Sequence, residues 1–113
     1  MPWLTNPVVA SAARTTSSTT TSIPHGSDGH VLNLQVTVTA VSGTTPSMAL
    51  SVLWSQDGTN FGPVDGGAQT FAAITTTGTV CKQVPVVGKF YQLSWTLTGT
   101  SPSFTFTVAA QSI

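Results

Sequence analysis

The chain has 113 residues and six formal charges, Arg14, Lys82 and Lys89 against Asp28, Asp57 and Asp65, with no glutamate. Charged residues make up 5% of it, where soluble domains average about 25%, and serine and threonine together fill 34 positions. Zero net charge excludes an electrostatic footprint for nucleic acid and a polybasic membrane patch. The length fits one domain rather than two, and three carboxyls leave little material for acid–base catalysis.

Hydrophobic residues are 40% of the chain and mean hydropathy is positive, the opposite of a disordered composition. No apolar run approaches the roughly 18 to 20 residues of a membrane-spanning helix. The segment 1–7 has neither a basic n-region nor a long apolar h-region, so export by a secretory signal is not expected. Cys81 is the only cysteine, so no internal disulfide forms and stability has to come from packing.

Residues 1–29 read as an extended N-terminal arm and edge segment. They hold Trp3, Leu4, Val8 and Val9, then a tract of serine and threonine from Thr15 to Ser22 that offers no large apolar side chain before Ile23. Threonine favours extended backbone because β-branching stiffens χ1. Pro24 to Gly29 is turn chemistry. Residues 30–113 read as a β-sandwich domain. Leu32, Leu34, Val36, Val38 and Ala40 alternate with polar residues, the period-two signature of a half-buried strand. Residues 42–47 read as a loop, and Met48, Leu50, Val52 and Trp54 then continue the alternation. Asp57-Gly58 marks a tight turn, 61–68 is irregular, and 69–74 and 79–84 read as short strands. Pro85 ends the second of these or places it at an edge. Tyr91, Leu93, Trp95 and Leu97 form one further strand, residues 99–103 a turn, and Phe104, Phe106 and Val108 the last. No helical period is present. The fold class is all-β, a single antiparallel β-sandwich or small barrel with an extended N-terminal arm.

Gly43-Thr44-Thr45-Pro46-Ser47 and its following strand are echoed 56 residues later by Gly99-Thr100-Ser101-Pro102-Ser103 and its strand. Two similar hairpins, one per sheet, would produce such an echo, and chance in a Thr/Ser-rich chain is the alternative. Apolar parity shifts near Ala40-Val41, where a β-bulge is expected.

Chemistry-bearing residues are few. His25, Asp28 and His30 share a turn that reads as polar and solvated, and no metal or cofactor is expected. No Gly-x-Ser-x-Gly elbow is present, Cys81 reads as a buried or half-buried strand thiol, and the chain is expected not to be an enzyme. Trp54 and Trp95 keep inward parity and belong to the core. Trp3 and its neighbours form an apolar tail that either docks on a neighbour or folds back over an open end of the sandwich. Trp3, Leu4, Val8 and Val9, with Arg14 and Ile23 of the same N-terminal segment, are the candidate partner-contacting residues.

Residues 34–61, with Val38-Thr39-Ala40-Val41-Ser42-Gly43-Thr44-Thr45-Pro46-Ser47 and Asp57-Gly58-Thr59-Asn60-Phe61, together with 88–104, carrying Trp95-Thr96-Leu97-Thr98-Gly99-Thr100-Ser101-Pro102-Ser103-Phe104, resemble small all-β virion proteins of tailed bacteriophages. The resemblance covers about residues 10–110. It implies a capsid decoration (cement) protein on the outer capsid surface of the virion. Its partners would be the major capsid protein and copies of itself, a trimer among them, with no nucleic acid and no membrane. The alternative is a minor tail or tail-tip protein with a carbohydrate-binding β-sandwich, whose site would use Phe61 and Tyr91 beside the Asp57 turn.

Overall fold

The structure is a computed structural model and describes residues 8–24, 30–65 and 69–112. Its elements are β1 (Val9–Arg14), β2 (Ser18–Thr19), β3 (Ile23–Pro24), β4 (Val31–Ser55), β5 (Gln69–Thr70), β6 (Gly78–Pro85) and β7 (Phe90–Ser112). All pairings among them are antiparallel. The expected all-β class is what the chain adopts, with no helix among the described residues.

Two very long strands dominate. β4 and β7 pair along their whole lengths, from Leu32 opposite Ser112 to Ser55 opposite Phe90. At ~3.3 Å per residue a straight β4 would measure about 80 Å, yet the longest dimension of the molecule is 42 Å. The ribbon is therefore doubled over. One layer holds β1, the second half of β7, the first half of β4 and β6, and the other holds β2 and β3, the first half of β7, the second half of β4 and β5. The connections agree with this. Pro85 ends β6 in the first layer and Phe90 begins β7 in the second, and the four residues between them could not span an unfolded ribbon. They cross from layer to layer at the open end, where Val86 N–H donates to His30 O (3.0 Å).

The fold-over lies at residues 43–47 and 99–103. These are not hairpin loops, as their Gly/Pro content suggests, but irregular stretches inside the two long strands that pair with each other across Thr44 and Thr100. The register breaks symmetrically. Ser42 faces Ser103 and Ser47 faces Thr98, so two strand residues oppose three on either side of the central pair. The backbone repeats the symmetry: φ is +112° at Gly43 and +110° at Gly99, +47° at Thr45 and +49° at Ser101. The echo thus reflects a local two-fold relation between β4 and β7. The expected bulge is present as well, with Thr39 as the extra residue between Val38 opposite Phe106 and Ala40 opposite Thr105.

Inward side chains of both layers form one core. Leu32, Leu34, Val36, Val38, Phe104, Phe106 and Val108 come from the first layer and Met48, Leu50, Val52, Tyr91, Leu93 and Trp95 from the second, all buried. Trp95 meets Phe106 edge-on across the layers, with ring centroids 5.4 Å apart at 81°, a favoured aromatic arrangement. At the open end the buried Gln69 amide ties the layers, accepting from Trp54 Nε1 (2.7 Å) and donating to Pro85 O (3.1 Å).

A Cβ placed on Gly43 would lie 2.6 Å from Ser101 O, and one on Gly99 2.6 Å from Thr45 O. Gly43→Ala and Gly99→Ala are therefore each expected to lower unfolding free energy by about 2–4 kcal/mol, from positive-φ strain plus backbone collision. Urea denaturation is the measurement, with Gly62→Ala, which meets nothing within 4 Å, as the tolerated control.

Candidate functional site

Strand register assigns each polar residue of the alternation to an outward face. On the first layer three rows cross the sheet: Gln83, Asn33 and Gln111; Cys81, Gln35 and Ala109; Thr79, Thr37 and Thr107. They are laced together sideways. Gln83 Nε2 donates to Asn33 Oδ1 (3.0 Å), and the Thr37 and Thr79 hydroxyls are 3.4 Å apart. A shallow trough of about 470 Å³ runs over Asn33, Gln35, Cys81, Gln83, Ala109 and Gln111, with Lys82 also contributing to its lining. On the second layer the outward rows are Ala49 with Thr96, Thr70 with Ser51, Ser94 and Thr19, and Leu53 with Gln92.

Neither face carries a charged side chain among these rows. The charges of the described residues sit elsewhere: Arg14 ends β1, Lys82 shares the inward register of Leu34 on edge strand β6, and Asp57, Asp65 and Lys89 lie in connections. The amide cluster of Asn33, Gln35, Gln83 and Gln111, spread over two neighbouring rows, was legible only as the polar half of an alternation. Its signal was the uniform absence of charge at those positions.

The candidate contact residues fall into two groups. Trp3 and Leu4 lie outside the described residues, as do His25 and Asp28 of the polar turn. Val8, Val9, Arg14 and Ile23 belong to a segment that runs along β7 as its edge partner, from Val9 opposite Val108 to Ile23 opposite Tyr91. Val9 is buried, and Val8 and Ile23 pack against the core. Thr-rich residues 17–20 are held by specific bonds: Thr20 N–H donates to Leu93 O (2.9 Å), Leu93 N–H to Thr20 Oγ1 (3.1 Å) and Leu97 N–H to Ser17 Oγ (2.9 Å). Of arm and edge strand, residues 8–24 form the edge strand.

The aromatic platform expected for a carbohydrate site is not assembled. Tyr91 is fully buried, with Trp54 tilted against it at 5.6 Å, because Tyr91 holds an inward register position. Burial also pushes its hydroxyl above the ordinary tyrosine range. Phe61 is half-buried in the connection after the Asp57 turn. That turn is self-contained. Asp57 Oδ1 accepts from Asn60 N–H, Thr59 N–H and the Ser55 hydroxyl, and Oδ2 accepts from the Asn60 amide. These bonds, the Asn60 and Thr59 backbone N–H groups first, hold the carboxyl well below the usual carboxylate range. A recess of about 380 Å³ lies beside it, between Trp54, Asn60, Val64 and Gly88.

Cys81 departs from its expected burial. It is exposed on β6, opposite outward Gln35, with Sγ 4.0 Å from Gln35 Oε1. A strand position alone leaves burial open: among the described residues β6 pairs with β4 alone and is an edge, one of the two roles that Pro85 allows. Among the described residues no three His, Cys, Asp or Glu side chains gather where a metal ion would need them. In comparisons with known proteins, no family model and no curated protein matches the chain.

Two measurements follow from this geometry. Cys81 is expected to react with a thiol reagent such as dithionitrobenzoate in the folded protein, to completion and without denaturant; a thiol protected until unfolding would contradict its placement. Asp57→Asn is expected to lower stability at pH 7. Because the folded carboxyl titrates below its unfolded value near 4, its contribution is complete above about pH 4 and is lost as the pH falls below that. Thermal unfolding should therefore converge for the two proteins as the pH drops from 5 to 2.

Proposed function

We propose that this chain is a structural subunit of a virion, of the capsid-decoration type that its sequence resembles, working with a sandwich face packed against neighbouring subunits. The observation that carries this reading is the absence of charge from the outward rows of both layers. Buried charge needs a partner and a closed hydrogen-bond network to be tolerated. Hydroxyls and side-chain amides can instead exchange water for a neighbour's backbone or side chains at low cost. A free monomer gains solubility from surface charge, whereas a subunit covered by its neighbours does not depend on it. The repeated sites of a shell would multiply weak contacts of this kind into firm attachment.

The test uses the full chain and capsids assembled from the accompanying major capsid protein alone. The chain is expected to co-sediment with them saturably, at a fixed ratio to capsid subunits, and to raise the temperature at which the shells come apart. Absence of saturable binding would remove the decoration reading. Gln35→Lys and Gln92→Lys place a cation on one face each. The variant whose face is covered should lose at least tenfold in affinity, about 1.4 kcal/mol, while the other binds as the parent does.

A further inference from the structure

On the side of the sandwich edged by the N-terminal segment, β1 pairs with the first layer and β2 with the second. The chain crosses between the layers at residues 15–17. Behind this crossing is a recess of about 250 Å³, lined by Val9, Arg14, Thr19, Thr20 and Trp95 among others.

Arg14 is fixed within it. Nη2 donates to Ala10 O (2.8 Å), and the guanidinium carbon lies 5.2 Å from the centre of the Trp95 ring and 5.7 Å from that of Phe106, within cation–π range. Arg14 Nε and Trp95 Nε1 are nevertheless buried without a hydrogen-bond partner among the described residues, and Trp95 is only 4% exposed. Both groups are donors and neither can accept, so they cannot satisfy each other. Buried polar groups are normally paired, and exceptions call for an occupant. Among the described residues no carboxylate lines the recess.

We propose that this recess binds a carboxylate, which accepts hydrogen bonds from Arg14 Nε–H and Trp95 Nε1–H and compensates the guanidinium charge. Two oxygens on one planar group suit two donors from neighbouring side chains. The wall formed by Val9 suits the one or two methylenes that precede a carboxylate. The same chemistry is offered by a small free carboxylate and by an aspartate or glutamate side chain of another protein.

Nitrogen-15-labelled full chain reports directly through the indole Nε1–H and arginine Nε–H resonances, assigned with Trp95→Phe and Arg14→Lys. Titration with sodium acetate, against sodium chloride at equal ionic strength, is expected to move the Trp95 and Arg14 signals saturably while the Trp54 indole stays in place. Arg14→Gln should weaken the response at least tenfold. Arg14→Lys, which keeps a cation on the ring, should weaken it less and guards against a folding defect in the first variant. A blocked aspartyl dipeptide binding more tightly than acetate would assign a protein side chain as the source, and the reverse a small free carboxylate; both support the site. Signals that fail to saturate, follow chloride equally, or respond more tightly to inorganic phosphate than to acetate would overturn the proposal. The first two results would leave water as the acceptor.

Discussion

Two stretches of backbone meet at Gly43 and Gly99 with no room for a side chain on either, and the architecture depends on that meeting. A Cβ on either glycine would collide with a carbonyl oxygen of the other's repeat, Ser101 O for Gly43 and Thr45 O for Gly99, and each is followed two residues on by a residue at positive φ. The pairing between β4 and β7 therefore turns without stopping, and strands of 25 and 23 residues fold over instead of ending. Once they do, the inward rows of the two halves face each other and Trp95 reaches Phe106. The open end also becomes narrow enough for residues 86–89 to bridge. Gly88 closes it at close range, since a Cβ there would lie 2.7 Å from Ser55 O.

Much of this was legible in the residue pattern because burial follows period-two alternation closely. Every inward position read from Leu32 to Val38 and from Met48 to Trp54 is buried, as are Tyr91, Trp95, Phe104 and Phe106 of β7. The bulge was legible because it shifts parity. The fold-over was not, because Gly-Thr-x-Pro-Ser has the local chemistry of a turn, and only the partner strand reveals that the chain continues in register on the far side. The edge role of residues 8–24 was half legible. Threonine-rich sequence announces extended backbone but carries no mark of which strand it will join. Cys81 departs from its expected burial for a related reason: alternation tells which residues share a face, not whether a further strand covers it. The unpaired donors of Arg14 and Trp95 lie 81 residues apart and could not be associated without the fold.

Low charge content takes on a specific meaning in this setting. Among the described residues the charges are displaced to connections, the end of β1 and one edge strand, leaving the outward rows of both layers to hydroxyl, amide and uncharged small or apolar side chains. Edge strands invite pairing with other chains unless something blunts them. Here Lys82 sits midway along β6, and β1 is interrupted by a register shift between Val9 and Ala12. Both devices discourage edge-to-edge growth while leaving the faces open. The surface thus separates where association is resisted from where the composition favours it.

The order of strands along the chain has a consequence for how the protein is made. β7 lies between the N-terminal edge and β4 in both layers, yet it follows every other strand in sequence. Val9 finds its partner Val108 and Val36 finds the same residue only after nearly the whole chain has left the ribosome. Until then β1 to β3 have no ladder to join, and β4 can pair only with β5 and β6. Contacts that close such long intervals also form slowly. Assembly of the sandwich is thus a late and concerted event.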